Sequence, residues 1–186
     1  MDQIKKDSQE ISEDRIKGLI ELKQLDEAEI LINRMLSHSP QDPTWLKNKG
    51  VIHAKKKEYE AAEECFLAAL KKSPEDLTVI VNLGNIYLET GHTDQAESYY
   101  KQAMSKEPSY ETPYYNLSAL YKKKRQHGLS KKFMEEYQRR AIEKRINEKP
   151  DPGGSKISYP PRKIMIMAAI VIGIVLMILI GVGNNG

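Results

Sequence analysis

A period of 34 residues constrains the fold of this chain more than any other feature of its sequence. The same residue types recur at this interval in a proline column, an alanine column and a glycine column. Their members are Pro40, Pro74 and Pro108; Ala28, Ala62 and Ala96; and Gly50 and Gly84. Ser130 stands at the next step of the alanine column, and Ser118 stands at the next step of the glycine column. Repeats of this length indicate stacked units, each too small to bury a core alone.

Each unit has the pattern of two antiparallel helices. In the clearest unit Ile80, Leu83 and Tyr87 recur at helical spacing, and residues 90–92 then break the pattern with a glycine. A second amphipathic stretch follows and ends near Pro108. The sequence therefore predicts a helix–turn–helix unit.

We expect an all-α fold, an α-solenoid of four tandem units in a domain that spans residues 9–147, after a tail at residues 1–8. The expected units are about 9–42, 43–76, 77–110 and 111–145. In the last unit Tyr137 stands where the second and third units have Ala69 and Ala103. A long final helix over residues 130–147, with a charged outer face, is expected to close the stack.

The pattern resembles the tetratricopeptide repeat. The residues that match that family's pattern in the third unit are Ile80, Leu83, Gly84, Tyr87, Ala96, Tyr100, Ala103 and Pro108. The resemblance covers about residues 9–145. It implies a superhelix whose first helices line a concave groove, and it implies binding of a protein or an extended peptide in that groove.

An asparagine row lies on the predicted first helices, at Asn48, Asn82 and Asn116, again 34 residues apart. An amide side chain can pair with both the N–H and the C=O of a peptide backbone. We therefore take these three residues, with Asn85 and Lys47, as candidate peptide-binding residues. The alternative is that the asparagines serve the packing of the helices.

A threonine row, Thr44, Thr78 and Thr112, lies just before each predicted first helix. Threonine is a favoured N-cap residue, so we expect these side chains to cap the helices and assign them no ligand.

No catalytic or metal-binding pattern is visible. The chain has one cysteine, Cys65, which excludes an intramolecular disulfide and a site built from several cysteines. The four histidines lie in different units, and the sequence has no glycine-rich phosphate loop. We expect no enzymatic activity, no metal and no cofactor.

The net charge of +3 combines an acidic repeat region with a basic stretch in the fourth unit. We call this stretch the basic collar. Its candidate lipid-contacting residues are Lys122, Lys123, Lys124, Arg125, Arg139, Arg140, Lys144 and Arg145. The collar is either a solvated helix surface or a surface for anionic lipids. Nucleic acid is the least favoured partner, because no nucleic-acid motif occurs.

Residues 164–182 contain no charged side chain. As a helix this segment would be about 28 Å long, close to the roughly 30 Å of a bilayer's hydrocarbon core. It is apolar on all sides, which favours a single transmembrane helix over a buried core helix. Residues 148–163 form a linker rich in proline, glycine and basic residues, and residues 183–186 form a short tail.

Cations precede this segment at Lys156, Arg162 and Lys163, so the repeat domain is expected to face the cytoplasm. The position of the segment near the end of the chain resembles that in tail-anchored proteins. The composition favours a bacterial inner membrane.

Together these features predict a non-enzymatic adaptor or scaffold, tethered to a membrane, that recruits a protein or peptide partner. The alternative is an assembly or stability factor for another membrane protein, which would use both the repeats and the transmembrane helix.

Overall fold

The computed structural model describes residues 12–147 as a series of α-helices without strands. The eight helices of this part are α1 (Glu13–Glu21), α2 (Leu25–His38), α3 (Pro43–Lys56), α4 (Tyr59–Lys72), α5 (Leu77–Glu89), α6 (Thr93–Lys106), α7 (Thr112–Lys123) and α8 (His127–Asn147). Consecutive helices from α1 to α7 pack together, and the first helices of successive units also touch, α1 with α3, α3 with α5 and α5 with α7. The prediction of an all-α solenoid is confirmed for this region.

Close helix contact explains the glycine column. A Cβ atom at Gly84 would lie 2.5 Å from Cε1 of the Tyr100 ring, and one at Gly50 would lie 2.7 Å from Cε1 of Phe66. Both rings are fully buried. Glycine on the first helix therefore makes room for the aromatic residue on the second helix of the same unit.

In the fourth unit serines stand in the glycine and alanine columns, at Ser118 and Ser130. The Ser118 hydroxyl donates to the carbonyl oxygen of Ser130 at 2.9 Å, and the Ser130 hydroxyl donates to the carbonyl oxygen of Ser118 at 3.0 Å. The two helices thus stay close while the added polar groups satisfy each other.

Aspartates, and not residues of the threonine row, cap α3 and α5. Asp42 and Asp76 are the N-cap residues of α3 and α5, and their carboxylates accept from the backbone N–H of Thr44 at 2.8 Å and of Thr78 at 3.0 Å. Thr112 is itself the first residue of α7. The predicted capping by threonine is therefore wrong. At α3 and α5 a carboxylate two residues earlier accepts from these N–H groups, and at α7 the N-cap residue is Glu111, whose side chain makes no capping hydrogen bond.

The turn inside each unit contains one residue in the left-handed conformation. These residues are Lys23, Lys57, Gly91 and Arg125, each 34 positions from the next, and only Gly91 takes this conformation without a side-chain penalty. The others show that packing of the two helices outweighs a local cost of about 1 kcal/mol.

The last helix is the longest of those described, with 21 residues, and it begins three positions earlier than the predicted 130–147. Its inner face packs on α7 through aromatic pairs. The rings of Phe133 and Tyr121 stack with centroids 5.4 Å apart, and those of Tyr137 and Tyr115 meet at the same distance.

Within residues 12–147, none of the helices is both long and apolar enough to cross a membrane. The predicted N-terminal tail, the linker, the transmembrane segment 164–182 and the tail 183–186 lie outside the described residues. Those predictions, and the predicted unit boundaries, stay predictions.

Candidate functional site

Two neighbouring cavities open along the surface formed by the first helices, which we call the groove. The first has a volume of 270 Å³ and lies among α1, α3 and α5; its charged lining residues are Glu13, Lys17, Glu21 and Lys47. The second has a volume of 280 Å³ and lies between α3 and α5, with Asn82 and Asn85 in its wall. Val51 lines both cavities, so they are adjacent.

The three members of the asparagine row have different environments. Asn48 is only 4% exposed, and its Nδ2 donates to the carbonyl oxygen of Thr44 at 3.0 Å, one turn earlier in α3. This amide is therefore engaged within its own helix, although the residue still borders the first cavity.

Asn116 is bound to a second asparagine. Its Nδ2 donates to Oδ1 of Asn85 at 2.9 Å, and the same oxygen accepts from the Tyr100 hydroxyl at 2.8 Å. Burial raises the pKa of Tyr100, so its hydroxyl remains a proton donor. Together these contacts link a buried ring, a groove residue of α5 and a groove residue of α7.

This network leaves two polar atoms available. The described residues include no buried side-chain nitrogen or oxygen without a hydrogen-bond partner. Nδ2 of Asn85 and Oδ1 of Asn116 have no hydrogen-bond partner among those residues, so both atoms reach solvent. One is a donor and the other is an acceptor.

Asn82 is the least constrained member of the asparagine row. It is half-buried in the wall of the second cavity, and its amide makes no hydrogen bond to another described residue. Both its donor and its acceptor are therefore available to a ligand.

Lys47 connects two units. Its Nζ lies 3.3 Å from Oδ2 of Asp76, the N-cap of α5, and 4.0 Å from Oε1 of Glu13 in α1. The side chain is 22% exposed. Its charge is therefore largely balanced by carboxylates of the neighbouring first helices.

Two lysines of the basic collar pair with acids that lie about one repeat earlier. Nζ of Lys124 is 2.9 Å from a carboxylate oxygen of Asp94, and Nζ of Lys144 is 2.8 Å from one of Glu111. The first contact joins the fourth unit to the third, and the second joins α8 to the N-cap residue of α7 within the fourth unit. Both use part of the positive charge of the collar.

Other collar residues also contact side chains or backbone groups of the repeat region. Arg139 and Arg140 both pair with Glu136, and their guanidinium groups hold the pKa of this carboxyl below its usual range. The Arg140 guanidinium also lies 3.7 Å from the centroid of the Tyr114 ring. Lys123 donates to a backbone carbonyl at the end of α5.

The remaining collar residues, Lys122, Arg125 and Arg145, are exposed and form no ion pair with another described residue. These three therefore keep the most positive charge for contact with a lipid surface.

The cysteine shows no sign of activation. Cys65 is half-buried in α4, and burial raises the pKa of its thiol, whereas a nucleophilic cysteine needs a lowered pKa.

Sequence reasoning missed the part of the second cavity that α3 lines. Val51, Ala54 and Lys55 line the second cavity, yet none belongs to the asparagine row. The available signal was helical spacing, because Val51 and Lys55 follow Asn48 by three and seven residues on the same face of α3.

A sequence model described as tetratricopeptide repeat matches residues 41–106. No curated protein sequence matches the chain significantly. A crystal structure of MamA is similar with a TM-score of 0.62 and 16% identity, over 70% of this chain and 77% of that one.

Two further solved structures share the fold. A structure of MamA from residue 41, from Desulfovibrio magneticus RS-1, has a TM-score of 0.59 and 18% identity, over 74% of this chain and 76% of that one. PilW, a widely conserved type IV pilus biogenesis factor, has a TM-score of 0.64 and 21% identity, over 69% of this chain and 60% of that one. The helical region therefore has the tetratricopeptide-repeat fold, and residues 41–106 match the sequence model of that family.

Proposed function

We propose that this protein is an adaptor whose groove holds an extended segment of another protein. Folds of this family generally bind protein partners. The observation that carries the proposal is the set of amide atoms beside the second cavity, contributed by Asn82, Asn85 and Asn116.

These atoms suit a peptide backbone. Asn82 offers a donor and an acceptor, Asn85 offers a donor, and Asn116 offers an acceptor. An extended chain presents its C=O and N–H groups at regular spacing and independently of its side chains. The network that fixes Asn85 and Asn116 in place lowers the ordering cost of binding, because these side chains are already positioned.

We further propose that residues 164–182 anchor the chain in a membrane, with the repeats on the cytoplasmic side of a bacterial inner membrane. The support is the apolar composition of this segment and the cations that precede it. Anchoring would raise the effective concentration of the groove for a partner at the same membrane.

The groove proposal is tested with the detergent-solubilised full chain and a phage-displayed library of random peptides. We expect enriched peptides to lose about tenfold in affinity for Asn82→Ala, because a backbone hydrogen bond in a desolvated groove contributes about 1.5 kcal/mol. The melting temperature should be unchanged, since Asn82 makes no hydrogen bond within residues 12–147.

Asn33→Ala is the matched control, because Asn33 is exposed on the second helix of the first unit. It should bind peptides like the unaltered protein. Equal binding of the selected peptides to Asn82→Ala, or no enrichment at all, would contradict a peptide-binding role for the groove.

The membrane proposal is tested by alkaline carbonate extraction of cell membranes. We expect the full chain to stay in the membrane pellet and a variant that lacks residues 164–182 to enter the supernatant. Release of the full chain into the supernatant would overturn the proposed anchor.

A further inference from the structure

The second cavity differs from the first in the chemistry of its lining. Its floor is apolar and consists of Val51, Ala54, Phe66 and Ile86. Among its lining residues the one charged side chain is Lys55, whereas the first cavity carries two acids and two lysines. The groove therefore contains one apolar depression with a positive edge.

The amides described above form the rest of the wall. Asn82 and Asn85 line the same cavity, so a backbone held by them passes directly over the apolar floor. Side chains of an extended segment alternate in direction. If one side chain points into the depression, its neighbour points out toward solvent, where the exposed side chain of Lys55 can reach it.

Lys55 is suited to contact that neighbour. It is exposed in the last turn of α3 and forms no ion pair with another residue of the described region. The adjacent Lys56 differs, since its Nζ lies 2.6 Å from Asp26 and 2.8 Å from Glu29. The charge of Lys56 is thus used within the fold, while the charge of Lys55 is available.

We propose, on the basis of the groove function above, that this cavity is a specificity pocket. It accepts one apolar side chain of the bound segment and selects an acidic residue next to it through Lys55. The partner is therefore a protein with an extended segment in which an apolar residue adjoins Asp or Glu.

The test compares peptide selection on the detergent-solubilised full chain with selection on Lys55→Glu. We expect the unaltered protein to enrich peptides with an acidic residue beside an apolar one. Lys55→Glu should bind those peptides about fivefold more weakly and should enrich basic residues at the same place, because attraction becomes repulsion.

Lys71→Glu is the matched control. Lys71 is also exposed in the last turn of a helix of the second unit, but it lies on α4 and lines neither cavity. The control should retain the original selection. An unchanged acidic preference in Lys55→Glu, or an equal change in Lys71→Glu, would overturn the role of Lys55.

The apolar floor is tested by Ala54→Leu, which fills the cavity, with Ala68→Leu on the exposed face of α4 as its control. We expect Ala54→Leu alone to lose about tenfold in affinity for a peptide with a large apolar residue, and to lose little for the same peptide with alanine there. Equal losses for both peptides would overturn the pocket.

The outcomes separate this pocket from the groove function. Peptides that depend on Asn82 but show no apolar or acidic preference would refute the pocket and leave the groove function standing. Failure to select peptides, or binding indifferent to Asn82→Ala, would refute both.

Discussion

The substitution Gly84→Ala tests the close contact between the two helices of the third unit. The added Cβ would lie 2.5 Å from Cε1 and 2.8 Å from Cδ1 of Tyr100. Real carbon atoms do not approach this closely, so either the ring or the helix must move. The ring is fully buried and its hydroxyl is bound to Asn85 at 2.8 Å, which restricts its movement.

The expected cost is the difference between two effects. Forcing an extra carbon into a packed core costs about 2–3 kcal/mol at such a short distance. Alanine recovers about 1 kcal/mol of helix propensity relative to glycine. We therefore expect Gly84→Ala to lower the free energy of unfolding by about 1–2 kcal/mol, which corresponds to a melting temperature lower by roughly 3–6 °C.

The assay is thermal unfolding followed by circular dichroism at neutral pH. Gly18→Ala is the control, because Gly18 also lies inside a helix but a Cβ there would meet nothing within 4 Å. This control should gain up to about 1 kcal/mol from propensity alone. Comparison of the two variants separates the contact with Tyr100 from the general effect of removing a glycine.

A double-mutant cycle with Tyr100→Leu locates the cause. Leucine removes the ring atoms that the new Cβ would meet, so Gly84→Ala should be neutral or stabilising in that background, with a coupling energy of about 1 kcal/mol or more. If Gly84→Ala stabilises the unaltered protein as much as Gly18→Ala does, the reasoning about close contact is refuted.

Three further changes have definite expected outcomes. Asp76→Ala should lower the free energy of unfolding by about 1 kcal/mol through loss of the α5 N-cap, while Thr78→Ala should change it by less than about 0.5 kcal/mol; equal effects in urea unfolding would contradict the capping assignment. Hydrogen bonds, of which the one from Lys101 has the largest effect, lower the pKa of Glu97 to about 2. The stabilising contribution of the ionised Glu97 is therefore present above about pH 4.5 and is lost toward pH 2. Glu97→Gln should therefore be less stable than the unaltered protein at pH 7 by roughly 1 kcal/mol, and the difference should shrink as the pH falls toward 2. A constant difference across a pH series of melts would exclude ionisation as the cause. Arg140→Lys should speed amide hydrogen exchange in residues 141–147, because lysine lacks the planar group that stacks on the α7 tyrosine; unchanged exchange would show that this stacking does not hold the end of α8.

The helix pairs were predictable because the repeated columns encode packing directly. A glycine that recurs opposite an aromatic residue indicates a close helix contact, and the structure has this contact at Gly84 and Tyr100. The N-caps were mistaken because threonine is common at such positions, while Asp42 and Asp76 stand two residues earlier and reach the same N–H groups.

The asparagine row shows what the period could not predict. Asn82 and Asn116 are equivalent in sequence, but their neighbours are not. Asn116 meets Asn85, whereas the residue of the preceding unit equivalent to Asn85 is Val51, which offers Asn82 no hydrogen bond. A side chain's hydrogen bonds therefore depend on the adjacent unit as well as on its own column.

The ion pairs of the basic collar could not be predicted for a similar reason. In the sequence, a run of cations suggests a uniformly positive surface, because few acidic residues lie close to it along the chain. The partners of Lys124 and Lys144 are Asp94 and Glu111, which come from earlier in the array and become neighbours only when the helices stack.

The hydrogen bond from Tyr100 to Asn85 has a consequence for how this protein can evolve. A fully buried ring would ordinarily be free to drift between tyrosine and phenylalanine, since folding uses the same apolar surface. Here the loss of one hydroxyl would leave the Asn85 amide held only by its hydrogen bond with Asn116. Selection for partner binding would therefore act on a residue that no partner touches, and changes at position 100 should be accompanied by changes at positions 85 and 116 among natural variants of this chain.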